Sequence, residues 1–175
     1  MNLGALGIAV VVADGKTKLD RPAAIFTALD IPTYLVWDCD KKGDEIKDTE
    51  LNNALQRLCE IPEEKLVAAT DIVSDRFACF ETNLSSTVKA EIGADAYREH
   101  LDAIKGEYEI TKDDDVEKSP FVMTKLLERL AQKGLRSKTL CAIVTAIATM
   151  RNLAVQVEKV ELEAETVEEE PHVGN

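Results

Sequence analysis

From Gly7 to Ala13 the chain reads Gly-Ile-Ala-Val-Val-Val-Ala with no polar interruption, and then meets Asp14-Gly15. A short, continuous apolar run closed by a turn signal predicts an interior parallel strand. Leu19, Ala23, Ile25, Phe26 and Leu29 follow at helical spacing, with Asp20 as N-cap and Pro22 in the first turn, where proline is tolerated. Ile31-Pro32-Thr33-Tyr34-Leu35-Val36-Trp37 is the second predicted strand, and it stops at the charged stretch Asp38-Cys39-Asp40-Lys41-Lys42-Gly43-Asp44. Strand, helix and strand in that order imply a right-handed crossover and a parallel sheet.

Leu51, Ala54, Leu55 and Leu58 recur at i, i+3, i+4 and i+7, which predicts a helix from Thr49 to Cys59 that Ile61-Pro62 ends. Phe77-Ala78-Cys79-Phe80 is a third predicted strand. It stops at Glu81, and Asn83 caps a helix over Leu84–Ile92. Beyond it the pattern turns helical over Ala94–Ile104, Pro120–Gln132 and Ser137–Leu153. Gly93, Gly106, an acidic turn at Asp113-Asp114-Asp115, and Gly134 separate these stretches. The expected fold class is therefore α/β, an open parallel sheet followed by a helical C-terminal part. The expected division is a core over 1–92, a helical part over 93–155 packed on it, and a tail over 156–175.

Composition narrows the function classes. With 175 residues, 45% apolar and 31% charged, the chain is a soluble globular protein of about one domain. A formal charge of −12 argues against coating nucleic acid by bulk positive charge. It leaves room for a metal-dependent nuclease, whose cations meet the phosphate. From Gln156 onward there are seven Glu against one Lys, so half of the net charge falls in the last twenty residues. That stretch is too poor in apolar surface to offset ordering entropy and is expected to be mobile.

Cys39, Cys59, Cys79 and Cys141 show no C-x-x-C pair and no nearby histidines, which argues against a zinc knuckle or a disulfide framework. Cys59, Cys79 and Cys141 stand in apolar runs and are expected to be reduced and buried, which points to the cytoplasm. The opening apolar stretch lacks a basic leader, and the later run Leu140 to Met150 is too short to span a bilayer, so no membrane is expected.

In open parallel sheets, functional groups gather beyond the carboxyl ends of the strands. All three predicted strands end in acid: Asp14, then Asp38 and Asp40, then Glu81. Asp38-Cys39-Asp40 sets two carboxylates two residues apart, near enough to share a hard cation such as Mg²⁺; the plain alternative is a solvated turn. Gly15-Lys16 could hold phosphate through backbone N–H groups and the ammonium, or be a surface lysine in a tight turn. It lacks the spacing of a P-loop, which excludes a nucleoside-triphosphate site there. Lys118, at the entry to the helix that begins near Pro120, could project into the crevice or simply be solvated. His100 and His172 form no pair, and no nucleophile elbow is present.

Taken together, the series Gly7-Ile8-Ala9-Val10-Val11, Gly15-Lys16 and Leu29-Asp30-Ile31-Pro32-Thr33-Tyr34-Leu35-Val36-Trp37-Asp38-Cys39-Asp40 resembles the Toprim domain of the overcoming-lysogenization-defect (OLD) family of ATP-dependent endonucleases. Phe80-Glu81-Thr82-Asn83-Leu84, Lys118-Ser119-Pro120 and Leu126-Leu127-Glu128 resemble that family's C-terminal region. The resemblance implies a Rossmann-like Toprim core and a two-metal phosphodiesterase centre acting on DNA through metal-bridged phosphate. Asp38 and Asp40 would be ligands of Mg²⁺ or Mn²⁺, Glu81 a ligand of the second ion, and Lys118 a stabiliser of transition-state charge.

The family's first strand, which carries a glutamate, and its ATPase domain are expected to be missing, since the sequence shows no strand with a glutamate ahead of Gly7 and holds no P-loop. A fragment, a split product needing a partner, or a decayed copy is the expectation, with weak cleavage by the chain alone. The alternatives are a non-catalytic Toprim-like module that docks on an ATPase partner or dimerises through an open sheet edge, and a receiver-like phosphoacceptor domain. The last would want an acidic pair after the first strand and a lysine after a late one. Only Asp14 stands at the first position, and Lys118 precedes a helix.

Overall fold

Apolar residues at alternating positions of two short strands give the sheet a buried side against two helices and a second side against a third. The computed structural model describes residues 7–43, 45–46 and 48–150. Strand β1 (Leu35–Asp38) pairs in parallel with β5 (Phe77–Phe80), Leu35 opposite Phe77 and Asp38 opposite Phe80. Strand β4 (Ile72–Val73) adds to the other edge of β5, antiparallel, giving the order β1-β5-β4. Strands β2 (Lys41–Lys42) and β3 (Glu45–Ile46) form a separate small hairpin.

Because successive side chains point to opposite faces, Leu35, Trp37, Phe77 and Cys79 share one face. They pack with Ala23 of helix α1 (Asp20–Ala28) and Leu55 of helix α2 (Thr49–Leu58). Trp37 stacks on Phe77 with ring centroids 5.1 Å apart. Ala78 and Phe80, on the opposite face, pack with Ile143 and Ile147 of a helix over residues 138–150, here α7. A third cluster joins α3 (Leu84–Ile92), α4 (Ala94–Glu107), α5 (Asp113–Glu117) and α6 (Pro120–Gln132). In it Leu101, Ile104, Leu126 and Leu130 are fully or almost fully buried, each contributing on the order of 1.5–3 kcal/mol relative to exposure.

Local signals explain most of the ends. Asn83 Oδ1 accepts from the Ser86 N–H at the start of α3, as its position predicts. Ser119 Oγ accepts from the Val122 N–H ahead of α6, with Pro120 in the first turn. At α1 the N-cap is Leu19, not Asp20; the aspartate sits one place inside, where negative charge still favours the helix N-terminus. The acidic triplet at 113–115 opens a five-residue helix, not a turn, and α4 runs on through Gly106 to Glu107.

The largest departure is at residues 7–13, which form no strand. Val10, Val11 and Val12 are 73%, 61% and 81% exposed. A run this apolar becomes an interior strand only if a neighbour completes its hydrogen-bond ladder and both faces are covered. Among the described residues β1 pairs with β5 alone, so the run finds no ladder to join. Asp14 therefore follows a loop. β1 is also shorter than the 31–37 stretch, because Pro32 offers no donor and the Ile31 N–H is spent closing α1 on the Phe26 carbonyl, 2.9 Å away. The sheet is mixed, since β4 is antiparallel.

Cys39, Cys59 and Cys79 are buried free thiols, but Cys141 is exposed, on the outer side of α7. None of the described helices is long and apolar enough to cross a membrane. The tail over 156–175, with His172, lies outside the described residues.

Candidate functional site

The chain leaves β1 at Asp38, passes the buried Cys39, and bends at Asp40, whose φ of 58° lies in the left-handed region. Aspartate is among the few side chains that visit this region at modest cost. After the bend, Asp40 Oδ2 lies 3.1 Å from Lys16 Nζ. Lys16 arrives by its own tight turn: Asp14 has φ 53° and Gly15 φ 115° with ψ 154°, a conformation open only to glycine. Lys16 Nζ also donates to the Cys39 carbonyl at 3.2 Å, and its side chain is only 6% exposed. An ammonium so far out of water is tolerable because it is both paired and hydrogen-bonded.

Asp38 is held from the other direction. Its Oδ1 accepts the N–H of Leu84, the first residue of α3, at 3.0 Å, so the positive end of that helix meets the carboxylate. Burial nevertheless raises the Asp38 pKa above the ordinary carboxylate range. The Leu84 N–H and Lys16 pull it down, and the neighbouring Asp40 adds to the rise.

Asp14, Lys16, Asp38 and Asp40 line one groove of about 400 Å³, together with the apolar Val11, Val12, Val36 and Trp37. Glu81 opens onto a different hollow of about 440 Å³, with Asp71 and Glu91. There it is ion-paired with Lys41, while its own N–H donates to Asp71 Oδ1 at 2.7 Å. Lys118 is exposed at the end of α5, with Nζ 3.3 Å from Asp114 one helical turn back, and it lines neither hollow. Asp38 and Asp40 are thus brought together, and Glu81 and Lys118 stand apart from them.

Among the described residues no three His, Cys, Asp or Glu side chains are grouped to hold a metal ion. The Asp38–Asp40 pair still fits one hydrated dication: two hard oxygen donors on an open groove suit an ion that keeps several of its waters. As arranged, each acid already has a partner: Leu84 N–H for Asp38, Lys16 for Asp40 and Lys41 for Glu81.

Three residues that hold this arrangement were not singled out from the sequence as structural supports. Lys16 is an integral wall of the groove, and its signal was a lysine directly after an apolar run and a glycine. Asn52 and Gln56, fully or almost fully buried on α2, tie the turn to the chain beyond. Asn52 Nδ2 donates to the carbonyls of Cys39 at 3.4 Å and Ala68 at 3.3 Å. Gln56 Nε2 donates to the Val67 carbonyl at 2.7 Å, and Gln56 Oε1 accepts from the Val67 N–H at 3.1 Å. Two amides four residues apart on the face that also carries Leu55 are the trace such a support leaves in a sequence.

Residues 1–40 match the family model described as overcoming lysogenization defect protein-like, TOPRIM domain. The match takes in the apolar run, Gly15-Lys16, α1, β1 and both Asp38 and Asp40, which is every polar group of the groove. Comparisons with curated proteins and with solved structures returned no match.

Proposed function

We propose that the groove at Asp38 and Asp40 is the divalent-cation centre of a Toprim-like phosphodiester hydrolase that acts on DNA. The observation that carries this is the pair of carboxylates at the carboxyl end of a parallel strand, facing a buried lysine, inside the stretch that matches the Toprim model. Asp38 and Asp40 would hold Mg²⁺ or Mn²⁺. A bound dication supplies Lewis-acid polarisation of a phosphate oxygen. The chain's own part is to hold the two acids in place: Leu84 N–H and the end of α3 fix Asp38, and the left-handed turn fixes Asp40. Glu81 can serve a second ion only if Lys41 gives it up. Lys118 can offset charge on a phosphate only if its side chain leaves Asp114.

The test is nicking of supercoiled plasmid by the purified chain with Mg²⁺ or Mn²⁺. Slow, metal-dependent nicking that Asp38→Ala abolishes is expected, because a centre with one acid pair positions water poorly and a displacement of about 1 Å costs on the order of a hundredfold in rate. Nicking that persists in Asp38→Ala, or no nicking at any enzyme concentration, contradicts the catalytic reading.

A second reading, a non-catalytic module that docks on an ATPase partner, is favoured by the edge of β1 that no strand among the described residues pairs with and by the exposed valines beside it. Such an edge is a template for an added strand. Loss of all nicking together with stable capture of a purified OLD-type ATPase domain would favour it.

A further inference from the structure

Lys16 is ion-paired with Asp40, one acid of the Asp38–Asp40 pair. We infer that Lys16 is an internal counter-ion that occupies the cation position at Asp40 and that a divalent cation must displace. This deepens the metal-centre reading and rests on it. The two charges lie 3.1 Å apart, with the lysine side chain nearly buried and the Asp40 side chain 46% exposed. Water and ions therefore reach the acid from the open side while the ammonium holds it from within. A second donor contact, Lys16 Nζ to the carbonyl of Cys39, the residue that separates the two acids in sequence, fixes the ammonium at the motif.

A dication arriving at Asp40 meets a positive charge at the carboxylate it needs. At the effective dielectric of a partly buried site, like charges a few ångströms apart repel by amounts that outweigh thermal energy several times over. The ammonium must therefore swing away as the ion binds, and the protein's affinity for the ion is set below what two carboxylates would give alone. The same pairing offsets one of the negative charges that Asp14, Asp38 and Asp40 bring to the groove.

Two measurements test this. Calorimetric titration with Mn²⁺ compares the full wild-type chain with Lys16→Met, which keeps the length of the side chain without its charge, and with Lys16→Arg, which keeps the charge. Lys16→Met should bind at least about tenfold more tightly, and Lys16→Arg should match the wild type within a few-fold. Equal or weaker binding in Lys16→Met overturns the inference. Absence of Mn²⁺ binding in all three proteins overturns the metal-centre reading and this inference with it.

The second measurement needs no variant. Amine labelling of the wild-type chain, read by mass spectrometry, should show Lys16 protected relative to Lys18, and saturating Mn²⁺ should raise its labelling rate several-fold. A Lys16 rate that Mn²⁺ leaves unchanged overturns the displacement even where calorimetry shows that the ion binds.

Discussion

Asp38 at the end of β1 accepts the backbone N–H of Leu84 at 3.0 Å, across forty-six positions of sequence. One hydrogen bond therefore ties the strand that carries the acid pair to the helix whose far end enters the helical cluster through Val88 and Ile92. The groove is held from both sides of the fold.

The first prediction concerns the stability of this contact. Burial raises the folded-state pKa of Asp38, so the native chain holds its proton more firmly than the unfolded chain. For a raised carboxyl, the unfavourable contribution is absent below the unfolded pKa and grows as pH rises through the folded one. Asp38→Asn retains an oxygen for the Leu84 N–H and removes the charge. Its denaturant midpoint should match the wild type near pH 3 and exceed it at pH 7. A variant less stable than wild type at pH 7 would contradict the burial argument.

Glu91, on α3, gives the second prediction. Its carboxylate accepts both the N–H of Thr139 at 3.1 Å and the Thr139 hydroxyl at 2.9 Å, and also the hydroxyl of Ser137. Partial burial opposes its charge, but the hydrogen bonds from Ser137 and Thr139 prevail and hold its pKa below the usual range. The contact caps α7 and pins that helix to α3. Glu91→Gln should cost about 1 kcal/mol in urea unfolding at pH 7, the usual worth of a helix cap. The difference should shrink as pH falls through the carboxylate range, since a depressed carboxyl loses its contribution there.

A third prediction contrasts two apolar positions. Leu126 is 0% exposed in the helical cluster, and Val12 stands out in solvent. Leu126→Ala should lower stability by about 2–5 kcal/mol. Val12→Thr should change it by less than about 0.5 kcal/mol. Equal losses would mean that the 7–13 run is packed as an interior strand after all.

The helices other than α5, and β5, were legible because their signals are local: periodicity, the Asn83 cap, and a dense apolar quartet at 77–80. Residues 7–13 carry the pattern of a strand without forming one, because strand formation depends on a neighbour and no local pattern says whether one is present. The antiparallel β4 leaves little trace in the sequence, because two residues, Ile72 and Val73, carry too little pattern to stand out. Asp38 and Asp40 were legible from their place after a strand. The separation of Glu81 from them was not, since it depends on Lys41 drawing the side chain toward another hollow. The burial of Lys16 has no local sequence signal, because it follows from two positive-φ residues before it and the bend at Asp40.

The central claim is that Asp38 and Asp40 together hold a divalent cation, and calorimetric titration of the chain with Mn²⁺ tests it most directly. The comparison is with the double variant Asp38→Asn, Asp40→Asn, whose fold is checked by an unchanged circular dichroism spectrum. The account predicts saturable binding of about one ion in the wild type and none in the variant. Identical heats in the two proteins would contradict it.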